Sequence, residues 1–85
     1  MNITLKYFSW IRVKLKKSHD LIEFDNNTIS FKALKSNLIS KDPIFSEIFN
    51  DNSVRYFLNL NEINDEDQTL NNGDILAFLP PVTGG

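Results

Sequence analysis

The stretch that most constrains this chain is its C-terminal end, where an unbroken apolar run, Ile75-Leu76-Ala77-Phe78-Leu79, passes without a linker into Pro80-Pro81-Val82-Thr83-Gly84-Gly85. The apolar run reads as a core strand. The two prolines hold φ near about −65° and bias the backbone to an extended path, so the segment leaves the domain stiffly instead of folding back on it. At about 3.1 Å per residue, this end reaches about 19 Å, enough to enter a pocket on another molecule. Gly84 and Gly85 carry no side chain to block a narrow channel. The chain accordingly divides into a folded domain, residues 1–79, and an extended, flexible C-terminal arm, residues 80–85.

A frayed terminus is the ordinary alternative. The segment contains none of the Ser, Lys, Glu or Gln that usually fill disordered ends, which argues for an arm with a use. With Gly85 last, the arm ends in an α-carboxylate. Such a group has a reference pKa of about 3.3–3.7, so near neutral pH it is ionised and a poor electrophile. Chemistry at Gly85 therefore requires activation, most simply as an acyl-adenylate, followed by attack of an amine or a sulfur donor. The chain does not offer the means itself. It has no cysteine, His19 is its single histidine, and its glycines are Gly73, Gly84 and Gly85, none of which opens a helix as a phosphate loop would. A nucleophile pair and a zinc site are both excluded by that inventory. Adenylation falls to another protein, which would use the ATP. This chain is expected to bind no cofactor and no metal, and not to be catalytic alone.

At 85 residues the chain makes one domain of modest stability, with no disulfide to help. An apolar fraction of 41%, including seven Phe, suffices for a core and argues against disorder. A net charge of −2 lacks the positive excess that nucleic-acid binding needs. The N-terminus shows no basic segment followed by an apolar one, and no stretch approaches the ~18 apolar residues of a membrane span. The reading is a cytoplasmic protein that binds neither nucleic acid nor membrane.

Along the chain, Ile3, Leu5 and Tyr7 alternate with Asn2, Thr4 and Lys6, the pattern of a half-buried strand. Phe8 falls on the polar face, so it either packs under a loop or belongs to a binding surface. Residues 9–17 are ambiguous: Ile11, Val13 and Leu15 alternate as in a strand, while Ser9 is placed to cap a short helix. The cations Arg12, Lys14, Lys16 and Lys17 read as a solvated face. Leu21-Ile22-Glu23-Phe24 predicts a second strand, closed by the turn-forming Asp25-Asn26-Asn27. His19 is read as a surface loop residue. Ser30 then caps a helix whose Phe31, Leu34 and Leu38 share one face, with Ile29 and Leu34 as a hydrophobic staple. Pro43 starts another short turn, Ile44 to Phe49. From Val54 the alternation returns, with Val54, Tyr56, Leu58 and Leu60 on one side and Arg55, Phe57, Asn59 and Asn61 on the other. Asn64 to Gln68 gathers carboxylates without the glycine and spacing of a calcium loop and reads as solvated. Asn71-Asn72-Gly73-Asp74 is a turn that feeds the last strand. This order predicts an α+β domain, with one main helix packed across a mixed sheet.

A small domain ending in Gly-Gly resembles the ubiquitin-like superfamily. The longer string Phe78-Leu79-Pro80-Pro81-Val82-Thr83-Gly84-Gly85 resembles the end of the small, sulfur-carrying subunit of molybdopterin synthase. The resemblance implies a β-grasp fold, with the last strand parallel to the first in the middle of the sheet. It implies a short helix at residues 9–17, with an Arg where Arg12 stands, although Lys16-Lys17 replaces a common glycine. On the last strand Leu76 and Phe78 would face the core, leaving Ile75, Ala77 and Leu79 with Phe8, and with Phe57, on an open face that meets partners. Function follows the same resemblance: a partner adenylates Gly85, sulfur converts it to a thiocarboxylate, and the arm, Pro80, Pro81, Val82, Thr83 and Gly84, inserts into a partner's active site to form the dithiolene of molybdopterin. The implied partners are the large synthase subunit, in a heterotetramer of two small and two large chains, and an E1-like adenylating enzyme. The alternatives are a sulfur carrier for thiamine synthesis or tRNA thiolation, and a ubiquitin-like protein modifier. Thiamine carriers are typically shorter and lack both the Pro-Pro-Val-Thr lead-in and the insert between the first two strands.

Overall fold

The computed structural model describes residues 1–81. The expectations placed on Val82, Thr83, Gly84 and Gly85 lie outside the described residues. Strand β1 (Asn2–Tyr7) follows the alternation of its sequence, with Ile3, Leu5 and Tyr7 buried. It ends one residue short of Phe8, because Phe8 begins helix α1 (Ser9–Leu15) as its N-cap residue, in extended conformation and without a side-chain cap. Ser9 is therefore not the cap; it occupies the first helical position with φ of +56°. The helical alternative for residues 9–17 holds because Ile11 and Leu15, four apart, both reach the core, while Val13 between them is 73% exposed. Lys16 closes the helix in the left-handed region, φ of +62°, at the place where the resembling subunits commonly have glycine.

Strand β2 (His19–Glu23) pairs antiparallel with β1. It starts earlier than expected, which places His19 in a strand and not in a loop. After β3 (Thr28–Ser30), the Ser30 hydroxyl accepts a hydrogen bond from the Ala33 N–H at 3.1 Å and caps α2 (Phe31–Lys41) as expected. Helix α2 buries Phe31, Leu34 and Leu38. Helix α3 (Ile44–Asn50) follows Pro43 and buries Phe45 and Ile48. Strand β4 (Arg55–Leu58), β5 (Asn61–Ile63), β6 (Thr69–Asn71) and β7 (Ile75–Leu79) complete the described residues.

The five-stranded sheet runs β2-β1-β7-β4-β5, with a small second sheet of β3 and β6. Strand β7 is parallel to β1 and antiparallel to β4, so the chain's last strand sits at the centre of a mixed sheet. The longest helix, α2, packs across one face with α3 beside it. Between helices and sheet lies an aromatic cluster with Phe78 in its middle. Tyr7 and Tyr56 stand edge-on to Phe78 at centroid distances of 5.3 and 5.4 Å, and Phe49 lies 5.8 Å away. The Tyr7 hydroxyl donates to the Asp20 carboxylate at 2.7 Å. Burial first, then that hydrogen bond and the nearby charge, push the Tyr7 hydroxyl pKa upward. Burial, followed by the charges of Asp51 and Glu66, pushes Tyr56 up to about 12. No helix among the described residues is long and apolar enough to cross a membrane.

Candidate functional site

The face of the sheet turned away from the helices is built by the alternate residues of the same central strands. Register fixes which ones they are. Thr4 lies beside Ile75 and Lys6 beside Ala77 on β1 and β7, while Phe57 lies beside Ala77 and Arg55 beside Leu79 on β4 and β7. The small Ala77 side chain leaves a depression between larger neighbours. Phe8, Phe57, Ile75 and Leu79 wall a groove of about 480 Å³, with Lys6 and Asn59 at its margins and Leu60 on its rim. Phe8 is 42% exposed and Ile75 40% exposed, whereas Leu76 and Phe78, on the other face, are fully buried. The structure thus brings Phe8, Ile75, Ala77 and Leu79 together in one groove. Pro80 continues directly from Leu79 and is half-buried, and Pro81 is exposed. Pro80 therefore stands at one end of the groove.

Leu60 is the residue that sequence reasoning misplaced. The alternation from Val54 puts it on the core side, but β4 stops at Leu58 and the chain reverses through Asn59 and Leu60, with φ of +48° and +75°. Positive φ at both central residues is what a tight turn between antiparallel strands requires, and glycine is the usual occupant of the second position. Here Leu60 takes it, strained and 94% exposed. A hydrogen-bond clamp holds the turn. Asn59 donates to the Asp74 carboxylate at 2.9 Å and accepts from the Ile75 N–H at 2.9 Å, while Asp74 also accepts from the Asn71 N–H at 2.7 Å. Gly73, with φ of +86°, lets the expected turn before β7 close under this clamp. The signal for Leu60 in the sequence was faint: Asn-Leu-Asn is a turn only if the strand is known to end at Leu58.

Arg12, Lys14, Lys16 and Lys17 are exposed, as expected. Lys14 pairs with Glu47 at 2.6 Å and Lys17 with Asp20 at 3.0 Å. Among the described residues no group of three or more histidine, cysteine or acidic side chains stands together as a metal site would. In the loop after β5, Glu66 is engaged by Lys35.

A five-stranded mixed sheet with the last strand parallel to the first, one principal helix across it and an apolar groove on the open face is the ubiquitin-like β-grasp arrangement. Residues 5–85 match the ThiS family, and the chain belongs to it. Solved structures give the same fold. SAMP1 from Haloferax volcanii superposes over 100% of both chains with a TM-score of 0.81 at 19% identity. Subunit 1 and subunit 2 of the molybdopterin-converting factor from Helicobacter pylori have been solved as a complex, one chain of which is similar to this one with a TM-score of 0.70 at 26% identity, over 100% of this chain and 100% of that one. The Amycolatopsis orientalis BexX/CysO complex is similar with a TM-score of 0.69 at 15% identity, over 98% of this chain and 99% of that one. The comparison with curated proteins gives no match.

Proposed function

We propose that this chain is a sulfur carrier and the small subunit of a molybdopterin synthase, loaded at Gly85. The observation that carries the reading is the continuity of the central strand β7 with Pro80-Pro81-Val82-Thr83-Gly84-Gly85, beside an apolar groove at the root of that segment. Membership of the ThiS family and likeness to the Helicobacter pylori complex of converting-factor subunits support it. The helix inserted between β1 and β2 and the Pro-Pro-Val-Thr lead-in favour it over a carrier of the thiamine type.

The chemistry begins on an E1-like partner. A carboxylate oxygen of Gly85 attacks the α-phosphorus of ATP and pyrophosphate leaves, giving the acyl-adenylate. A sulfur donor at the sulfide level attacks the acyl carbon and AMP departs, so that sulfur replaces one oxygen and a thiocarboxylate results. On the large subunit the arm delivers this sulfur as a nucleophile to a pterin precursor. Hydrolysis of the acyl–sulfur bond then returns Gly85 to the carboxylate, ready for another cycle. Two small and two large chains would make the working assembly. The domain, residues 1–79, acts as the handle that both partners grip through Phe8, Phe57, Ile75, Ala77 and Leu79, and residues 80–85 act as the arm.

Extending the chain by one alanine after Gly85 tests this reading. Sulfur transfer to the pterin precursor is expected to be lost while the thermal melt is unchanged, because the addition alters no residue of the domain, 1–79. Full transfer by the extended chain would overturn it.

A further inference from the structure

Strand β2 is the outer strand of the five-stranded sheet, and among the described residues no strand pairs with its free edge. The hydrogen bonds from the Tyr7 N–H to the Ser18 carbonyl at 2.9 Å and from the Phe24 N–H to the Met1 carbonyl at 2.8 Å fix the phase of the β1–β2 ladder. In an antiparallel ladder hydrogen-bonded and non-bonded pairs alternate, so Asp20 and Ile22 turn their backbone groups to β1. His19, Leu21 and Glu23 turn theirs outward, and all three side chains are exposed. A free edge of this kind is a template for another strand.

We propose that this edge pairs with the same edge of a second copy of the chain, antiparallel about a two-fold axis at Leu21. That register is self-complementary at every outward position. Leu21 meets Leu21 of the other copy, and His19 meets Glu23 on each side of the axis. All three outward residues of β2 become hydrogen-bonded pairs, giving about six new backbone hydrogen bonds. An imidazole N–H of His19 facing the Glu23 carboxylate across the strands favours the pairing, and the closely packed Leu21 side chains, 67% exposed in the single chain, lose contact with water. Parallel pairing of two copies would set Glu23 against Glu23, which like charge disfavours.

The product is a continuous ten-stranded sheet in which both apolar grooves open on the same side. Pairing consumes none of the groove residues, which lie on β1, β4, β7 and the turns beside them. The inference is therefore independent of the proposed function. With an edge of five residues, the association belongs to the weak end of specific interfaces.

Sedimentation of the full chain from low micromolar to millimolar concentration tests it, with circular dichroism melts on every variant. The natural chain is expected to shift from one copy towards two as concentration rises. Leu21→Lys and Glu23→Lys, both at exposed positions, are expected to melt normally and to weaken self-association at least tenfold. The double change His19→Glu with Glu23→Lys sets complementary side chains across the axis again and is expected to restore it. A natural chain that stays single at the highest concentration, a dimer indifferent to Leu21→Lys and Glu23→Lys, or a double variant as weak as Glu23→Lys would each overturn the proposal.

Discussion

The two faces of strands β1 and β7 are made by neighbouring residues of the same backbone, yet they answer to different demands. On one face Leu5, Tyr7, Leu76 and Phe78 are buried under α2 and α3, and the rings of Tyr7, Phe49 and Tyr56 close around Phe78. On the other, Lys6, Ile75, Ala77 and Leu79 line an open groove with Phe8 and Phe57. Both faces are apolar, but only one is used by the domain itself. The difference teaches that hydrophobicity alone does not mark the core in this chain. The helices cover one side of the sheet, and the apolar residues on the uncovered side remain available to another molecule.

Substitutions on either side of one backbone break the comparison in opposite directions. The largest effect belongs to Phe78→Ala, which empties the centre of the aromatic cluster and is expected to cost about 3–5 kcal/mol of stability in a urea melt. A cost under about 1 kcal/mol would mean that the cluster does not carry the core. One residue further on, Leu79→Asp is expected to leave the melt near native, as is Phe8→Asp. Affinity for the large subunit and for the adenylating enzyme should fall about ten- to a hundredfold, since burying a side chain of this size is worth about 1.5–3 kcal/mol. Unchanged affinity with a native melt would remove the groove from the account.

Leu60 sharpens the comparison, because there the fold and the groove pull against each other. Glycine accepts φ of +75° without the Cβ clash that leucine suffers, so Leu60→Gly is expected to raise stability by about 1 kcal/mol. The same change removes an apolar side chain from the rim and should weaken partner binding. A destabilised Leu60→Gly protein would show that the side chain serves the fold.

The smallest effect near neutral pH lies in the tyrosines of the covered face. In the folded chain Tyr56 titrates at about 12, above the ordinary value of 10.0. The unfolded chain therefore loses its proton first as pH rises. The contribution of neutral Tyr56 is fully present below pH 10 and is lost as pH climbs from there through about 12. Tyr7, shifted in the same direction, adds to the slope. Urea midpoints recorded across that window should fall, and should fall less steeply in Tyr56→Phe. A flat profile would contradict the burial of both hydroxyls.

Much of this was legible in the sequence wherever the signal was local. Ser30 followed by Phe31, Leu34 and Leu38 is a cap and a helix face within one short stretch, and α2 forms there. The alternation of β1 followed from strand periodicity, while the burial of Leu76 and Phe78 followed from the β-grasp resemblance, which set the last strand parallel to the first. Residues 9–17 were ambiguous because Ile11 and Leu15 satisfy a helical spacing of four as well as a strand spacing of two. Only contact with the core, which leaves Val13 outside, decides between them. Strands β3, β5 and β6 have three residues each, too few for any period to show, and each exists through its partner strand. In the groove, Phe8 and Phe57 announced themselves as aromatics on polar faces. Leu60 did not, because extending the alternation past Leu58 assigned it to the core, and the clamp from Asn59 to Asp74 that ends the strand joins residues distant in sequence.

The central claim is that sulfur is carried on Gly85, and intact-mass spectrometry of the full chain tests it most directly. After incubation with the adenylating enzyme, ATP and a sulfide source, the mass is expected to rise by the difference between one sulfur and one oxygen atom. The gain should require ATP, disappear on adding the large subunit with its pterin precursor, and map to the C-terminal peptide. A chain that keeps its original mass under these conditions, or gains sulfur anywhere other than Gly85, would contradict the account.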